Sequence, residues 1–169
     1  AYALRTGAGY EKAPEAQYRT MRLDAICALP VERLAARDCL LFLWTTFPHL
    51  PQAMLAMTSW GFRYSTGGAW VKRSAEGRPG FGTGFVLRSA TEPFLIGVRG
   101  APRIGSRRVR NLIELAPAID ALRREHSRKP AEARDMLMAL RPGVPTCELF
   151  AREPWPGADV WGDEADRFG

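Results

Sequence analysis

Cys39-Leu40-Leu41-Phe42-Leu43-Trp44 places six apolar side chains in succession without a polar interruption. Successive residues of a strand point to opposite faces, so a run like this needs cover on both sides and belongs inside a sheet flanked by other elements. It is far shorter than the roughly 20 apolar residues that cross a bilayer, so no transmembrane helix is expected. Ala1 to Tyr10 has one Arg and no apolar stretch, which does not read as a secretory signal. The expected location is therefore the cytoplasm. At 169 residues and 46% apolar content the chain suits one domain over 1–169 with a real core.

Around this run the sequence alternates periods. Leu23 to Leu29 is a short helical pattern that Pro30 ends. Leu50, Ala53, Met54 and Met57 recur at helical spacing between Pro48 and Gly61. Phe62 to Lys72 returns to strand-like composition, and the β-α-β succession predicts a right-handed crossover. Residues 73–84 hold four Gly and one Pro and read as a loop. Pro93 to Val98 and Val109 to Leu115 read as strands, with a basic loop from Arg99 to Arg108 between them. After Pro130, Ala133, Met136, Leu137 and Leu140 mark a second amphipathic helix, stopped by Pro142-Gly143, and Cys147 to Ala151 is a last strand. The expectation is an α/β fold with a mainly parallel sheet and helices on both faces.

Familiar chemical signatures are missing. The sequence contains no GxGxxG, GxxxxGK[ST], HExxH, CxxC or GxSxG. Cys27, Cys39 and Cys147 are too far apart for a zinc site and sit among apolar neighbours, so buried reduced thiols and no metal are expected. His49 and His126 read as structural or surface groups.

Charge narrows the partners. The net charge is +6, and 21 of the 24 basic residues are Arg. Between Arg99 and Lys129 there are nine basic residues against three acids, so cation density is concentrated there. Such a segment suits a phosphate backbone, with Arg107 and Arg108 at its centre, and equally suits a solvated surface. Two further segments draw the eye. Ser127-Arg128-Lys129-Pro130 sets a hydroxyl and cations at a helix start, where backbone N–H groups favour a carboxylate or phosphate. Cys147-Glu148-Leu149-Phe150-Ala151-Arg152 puts an acid inside an apolar strand, which is costly unless paired. The end of that strand is where an open α/β sheet binds ligands, and a Glu148–Arg ion pair on an edge strand explains the acid equally well.

In order along the chain, Gln17-Tyr18-Arg19-Thr20-Met21, Leu41-Phe42-Leu43-Trp44-Thr45, Trp60-Gly61-Phe62, Trp70-Val71-Lys72, Thr91-Glu92, Gly97-Val98-Arg99-Gly100, His126-Ser127-Arg128-Lys129-Pro130, Glu148-Leu149-Phe150-Ala151-Arg152 and Trp161-Gly162-Asp163-Glu164 resemble the adenine-N6 methyltransferase family. That family includes the catalytic subunit of the messenger-RNA adenosine methyltransferase and phage and bacterial DNA enzymes. The resemblance implies a Rossmann-like S-adenosyl-L-methionine (SAM) dependent methyltransferase fold with a permuted motif order. It implies that Lys129 contacts the SAM carboxylate, while Glu148, Phe150 and Arg152, joined by Asp163 and Glu164, line the ribose and adenine pocket. Tyr18, Glu92 and Ser127 would border the acceptor adenine, and Arg107 and Arg108 would meet the surrounding strand. Asp163 departs from the Asn usual there.

A larger departure concerns the family's Asp-Pro-Pro-Trp motif, which activates the exocyclic amine and does not occur in the sequence. The expectation is a methyltransferase domain lacking its N-terminal strand and that motif. The alternative is an inactive nucleic-acid-binding partner subunit, since the family pairs active and inactive subunits; a homo- or heterodimer is expected as a possible assembly. The compact length favours DNA over RNA as substrate.

Overall fold

A computed structural model of the chain describes residues 20–73, 77–80, 82, 86–114 and 129–165. Among them the elements run α1 (Leu23–Cys27), α2 (Val31–Leu34), β1 (Cys39–Trp44), a 3-10 turn (Phe47–His49), α3 (Leu50–Ser59), β2 (Arg63–Val71), β3 (Thr91–Arg99), β4 (Leu112–Glu114), α4 (Glu132–Leu140), β5 (Cys147–Leu149) and β6 (Asp159–Trp161).

The uninterrupted apolar run becomes β1, and its two faces are used as the alternation demands. Cys39, Leu41 and Leu43 pack against a core of Val31, Ala56, Met57, Trp60, Phe62 and Leu95, which α2 and α3 help to build. Leu40, Phe42 and Trp44 pack on the other side against Phe94, Ile96, Ile113 and Ala133, with α4 as the cover. Phe42 stacks on Phe94 with ring centroids 4.5 Å apart. Met57 and Phe94 are almost wholly buried, each worth about 1.5–3 kcal/mol of transfer free energy. Trp60 Nε1 donates to the Ile26 carbonyl at 2.9 Å, tying the end of α3 to short α1. Pro51 sits in the first turn of α3, where a missing N–H costs nothing.

The sheet departs from the expected parallel arrangement. Its order is β1-β3-β2-β4, and β3 runs antiparallel to both β1 and β2, whereas β4 is parallel to β2. The sheet is mixed, and β1 and β2 are not neighbours because β3 lies between them. The reason lies in the connection. A parallel neighbour needs a crossover element, whereas the glycine-rich stretch after β2 has no helical period and simply returns the chain beside β2. A separate two-stranded parallel sheet joins β5 to β6. β5 is shorter than the predicted Cys147–Ala151 strand because Phe150 takes a left-handed conformation, φ 58°. No helix among the described residues is long and apolar enough to cross a membrane.

Ala69 N donates to the Asn111 carbonyl at 3.0 Å, where β4 approaches β2 beside Gly68. A Cβ on Gly68 would run into that carbonyl and the Phe94 ring. Gly68→Ala is expected to lower unfolding free energy in urea titration by about 2–3 kcal/mol through overpacking. A loss within experimental error would show that β4 does not need this close approach.

Candidate functional site

Register decides which polar side chains meet. In the β2–β3 ladder Trp70 lies opposite Glu92, and in the β1–β3 ladder Trp44 lies opposite Phe94. Paired residues share a face, so Trp44, Trp70, Glu92 and Phe94 stand on the same side of the sheet, and Lys72, two residues past Trp70, reaches it as well. This is the side α4 covers, and Lys129 arrives there just before that helix.

Glu92 is the centre of the resulting cluster. Its Oε1 accepts from Lys129 Nζ and its Oε2 lies 2.8 Å from Lys72 Nζ, with the Glu92 side chain 12% exposed. Lys129 Nζ stands 5.3 Å from the centroid of the Trp44 ring, and Lys72 Nζ stands 5.2 Å from that of Trp70. Each ammonium thus meets an aromatic face as well as the carboxylate. Burial pushes the Glu92 carboxyl up, but the charges and hydrogen bonds of Lys129 and Lys72 together outweigh it and hold the group below the usual carboxylate range. Trp70 Nε1 is buried and has no acceptor among the described residues.

A second cluster lies at the small sheet. Arg134, in the first turn of α4, donates from Nε and Nη2 to Glu148 Oε2 at 3.2 and 3.0 Å, and from Nη1 to Glu153 Oε1 at 3.1 Å. Its guanidinium lies 5.2 Å from the Trp155 ring. Phe150, half exposed, meets Trp161 edge-on at 5.6 Å. Arg152 Nε donates to Glu164 Oε2 at 2.7 Å, and Asp163 sits exposed in the neighbouring turn. Gly162 lets these turns close: a Cβ there would fall 2.6 Å from the Ala151 carbonyl oxygen.

Lys129 and Glu92, which the sequence reading assigned to different ligands, are therefore direct partners. Glu148, Phe150, Arg152, Asp163 and Glu164 gather at the small sheet, and the ion-pair explanation of Glu148 holds, with Arg134 as the cation. Arg107 and Arg108 are exposed, and neither has a hydrogen bond or ion pair with the Glu92 cluster among the described residues. Gly105 N donates to Leu140 O at 2.7 Å and Arg141 Nη1 to Arg103 O at 2.8 Å, so their loop is tied to the C-terminal end of α4 while Lys129 precedes its start. Tyr18 and Ser127 lie outside the described residues. Cys147, expected to be buried, is exposed, and Cys27 and Cys39 are only partly covered. Sequence reasoning missed Lys72, Trp44, Trp70 and Arg134 as members of the site. The strand parity of Trp70 and Lys72 was a usable signal for the first, whereas nothing short of the fold points Arg134 at Glu148.

Known proteins define the class to which this geometry belongs. The MT-A70 family pattern matches residues 6–164, and the chain belongs to that family. A type II methyltransferase, M.MunI of Mycoplasma sp, is 36% identical over 151 residues, covering 88% of this chain and 60% of that protein. A putative MT-A70-like N(6)-adenosine-methyltransferase of Medicago truncatula is 31% identical over 144 residues, 82% of this chain and 22% of its own length. The N6-methyladenosine RNA methyltransferase MTA1 of Pyricularia oryzae is 31% identical over 147 residues, 83% of this chain and 38% of its own. The chain spans about three fifths of the first relative and less of the others. The methyltransferases of this family take their methyl group from SAM.

Because Glu92 is held below its ordinary value, its contribution to stability is complete at neutral pH and is lost as pH falls through the folded-state value. Glu92→Gln should remove up to about 1.4 kcal/mol per pH unit from the acid-side slope of stability. Denaturant titrations at a series of acidic pH values check this, and parallel slopes for the two proteins would sink it.

Proposed function

We propose that these residues form the cofactor- and base-binding part of a methyltransferase that transfers the SAM methyl group to the N6 amine of adenine in nucleic acid, DNA in preference to RNA. The observation that carries this reading is the Lys72–Glu92–Lys129 cluster set between the rings of Trp44 and Trp70.

The residues fit the cofactor in chemistry. When bound, SAM supplies a methyl group made electrophilic by its sulfonium. Lys129 is a cation for the amino-acid carboxylate, and the buried Trp70 N–H is a donor still in need of an acceptor. Phe150 and Trp161 offer apolar rings to the adenine, while Glu148 and Asp163 are acceptors suited to ribose hydroxyls. The Arg152–Glu164 pair closes the same corner.

For the acceptor base, an ionised Glu92 offers lone pairs and no proton. An adenine amine is a weak nucleophile because its lone pair is drawn into the ring. A carboxylate accepting one of its N–H bonds returns electron density to nitrogen, an effect strengthened in a site shielded from water. Trp44 supplies a face on which a base stacks, and a duplex target must first be flipped out. Arg107 and Arg108 then serve the phosphate backbone at a distance from the reacting base. Higher identity to the type II methyltransferase than to the adenosine and RNA methyltransferases weighs for DNA. The second reading is an inactive nucleic-acid-binding partner subunit, which the retained Lys129 and Glu92 weigh against.

The deciding experiment supplies the intact protein with methyl-labelled SAM and adenine-containing DNA or RNA of one sequence. Label in DNA adenine that is blocked by prior N6-methylation is the expected result, and binding of both ligands without transfer would favour the inactive subunit. Lys129→Ala should weaken SAM binding in calorimetry by about tenfold or more, the scale of a charge-assisted hydrogen bond. Arg22→Ala, at an exposed pair with Asp24, should leave it unchanged, and equal losses would count against the carboxylate assignment. Reversing Arg107 and Arg108 to Glu should reduce the salt dependence of DNA affinity by a log–log slope of about 1–2. An unchanged slope would move the phosphate contacts elsewhere.

A further inference from the structure

The two clusters of the site belong to separate sheets, with no hydrogen-bonded ladder between them among the described residues. Their relative placement therefore rests on side chains. Leu149 packs into the core on the α3 side. On the opposite side the link is Arg134. α4 itself is seated on the large sheet through Ala133 and Met136. From its first turn Arg134 grips both Glu148 in β5 and Glu153 beyond it, with its guanidinium over the Trp155 ring. The side chains of Arg134 and Glu153 are 20% and 15% exposed and that of Glu148 32%, so the Arg134–Glu153 contact is the better shielded of the two.

The details of the grip matter. Both Arg134 N–H groups that reach Glu148 go to the same oxygen, Oε2. Among the described residues no donor is bonded to Oε1, and the Glu148 side chain is 32% exposed, so Oε1 is open to a donor from outside the protein. An arginine fork pairs with a carboxylate most readily through both oxygens. Here the third N–H is held by Glu153, and the guanidinium is turned so that one carboxylate oxygen is satisfied and the other is left available.

We infer that Arg134 is a positioning residue for cofactor binding: it holds Glu148 so that Oε1 accepts a hydrogen bond from a ribose hydroxyl of the cofactor. The inference rests on the proposed SAM site and adds a residue that does not touch the ligand. Its signature is selective. Losing Arg134 frees Glu148 to rotate and removes the preference for a hydroxylated ribose, whereas general loosening of the fold weakens every cofactor analogue by the same factor.

Calorimetry on the intact protein with S-adenosylhomocysteine and with its 2′,3′-dideoxy analogue reads this out. The wild type should prefer the hydroxylated ligand by about tenfold or more, one hydrogen bond to a charged acceptor. Arg134→Ala should bring the ratio to within about twofold. Arg134→Lys keeps the charge without the fork and should cut the ratio by about threefold, so it carries the test if the alanine variant does not fold. A wild-type preference that survives either substitution in a folded protein overturns the inference, as does a wild type that binds both ligands equally. Both of those results leave the cofactor site standing. Failure of the wild type to bind S-adenosylhomocysteine at all overturns the SAM reading and this inference with it.

Discussion

The pairing of β3 with a strand on each side is the constraint on which the rest depends. It places an almost fully buried Phe94 at the centre of one core and Leu95 in the other, so one strand joins the two apolar layers. Glu92 is carried into position by the same ladders. A slip of one residue would turn its carboxylate to the α3 face, away from Lys129, and expose the apolar set that now lies under α4. The register that buries the core is thus the register that builds the site.

Electrostatics sharpen that placement. The partly buried carboxylates at the two clusters are each matched by a cation: Glu92 by Lys72 and Lys129, Glu148 and Glu153 by Arg134, and Glu164 by Arg152. A shielded acid without such a partner would protonate or resist burial. At Glu92 the two lysines hold the carboxyl below the usual carboxylate range in spite of its burial. The cations at Glu92 are shared with the aromatic faces of Trp44 and Trp70.

α4 connects regions that are distant in the sheet. Lys129 stands just before it, its first turn carries Arg134, Ala133 and Met136 seal the core, and its end holds the basic loop through Leu140 and Arg141. The basic loop and the Glu92 cluster are thereby both tied to one helix.

The elements themselves were legible in the sequence. Cys39–Trp44 read as a strand covered on both faces, and the spacing of Leu50, Ala53, Met54 and Met57 as a helix, because alternation and helical period follow from local geometry. The matched segments also carried the family and its cofactor. Strand order was not legible: antiparallel β3 entered between β1 and β2, since which strands become neighbours is settled by how the connections return the chain and not by local period. Nor were the partnerships. Lys129 with Glu92 and Arg134 with Glu148 join residues 37 and 14 positions apart, and only the tertiary structure brings such charges together, because the cost of burying each one is met by a partner that the fold alone supplies.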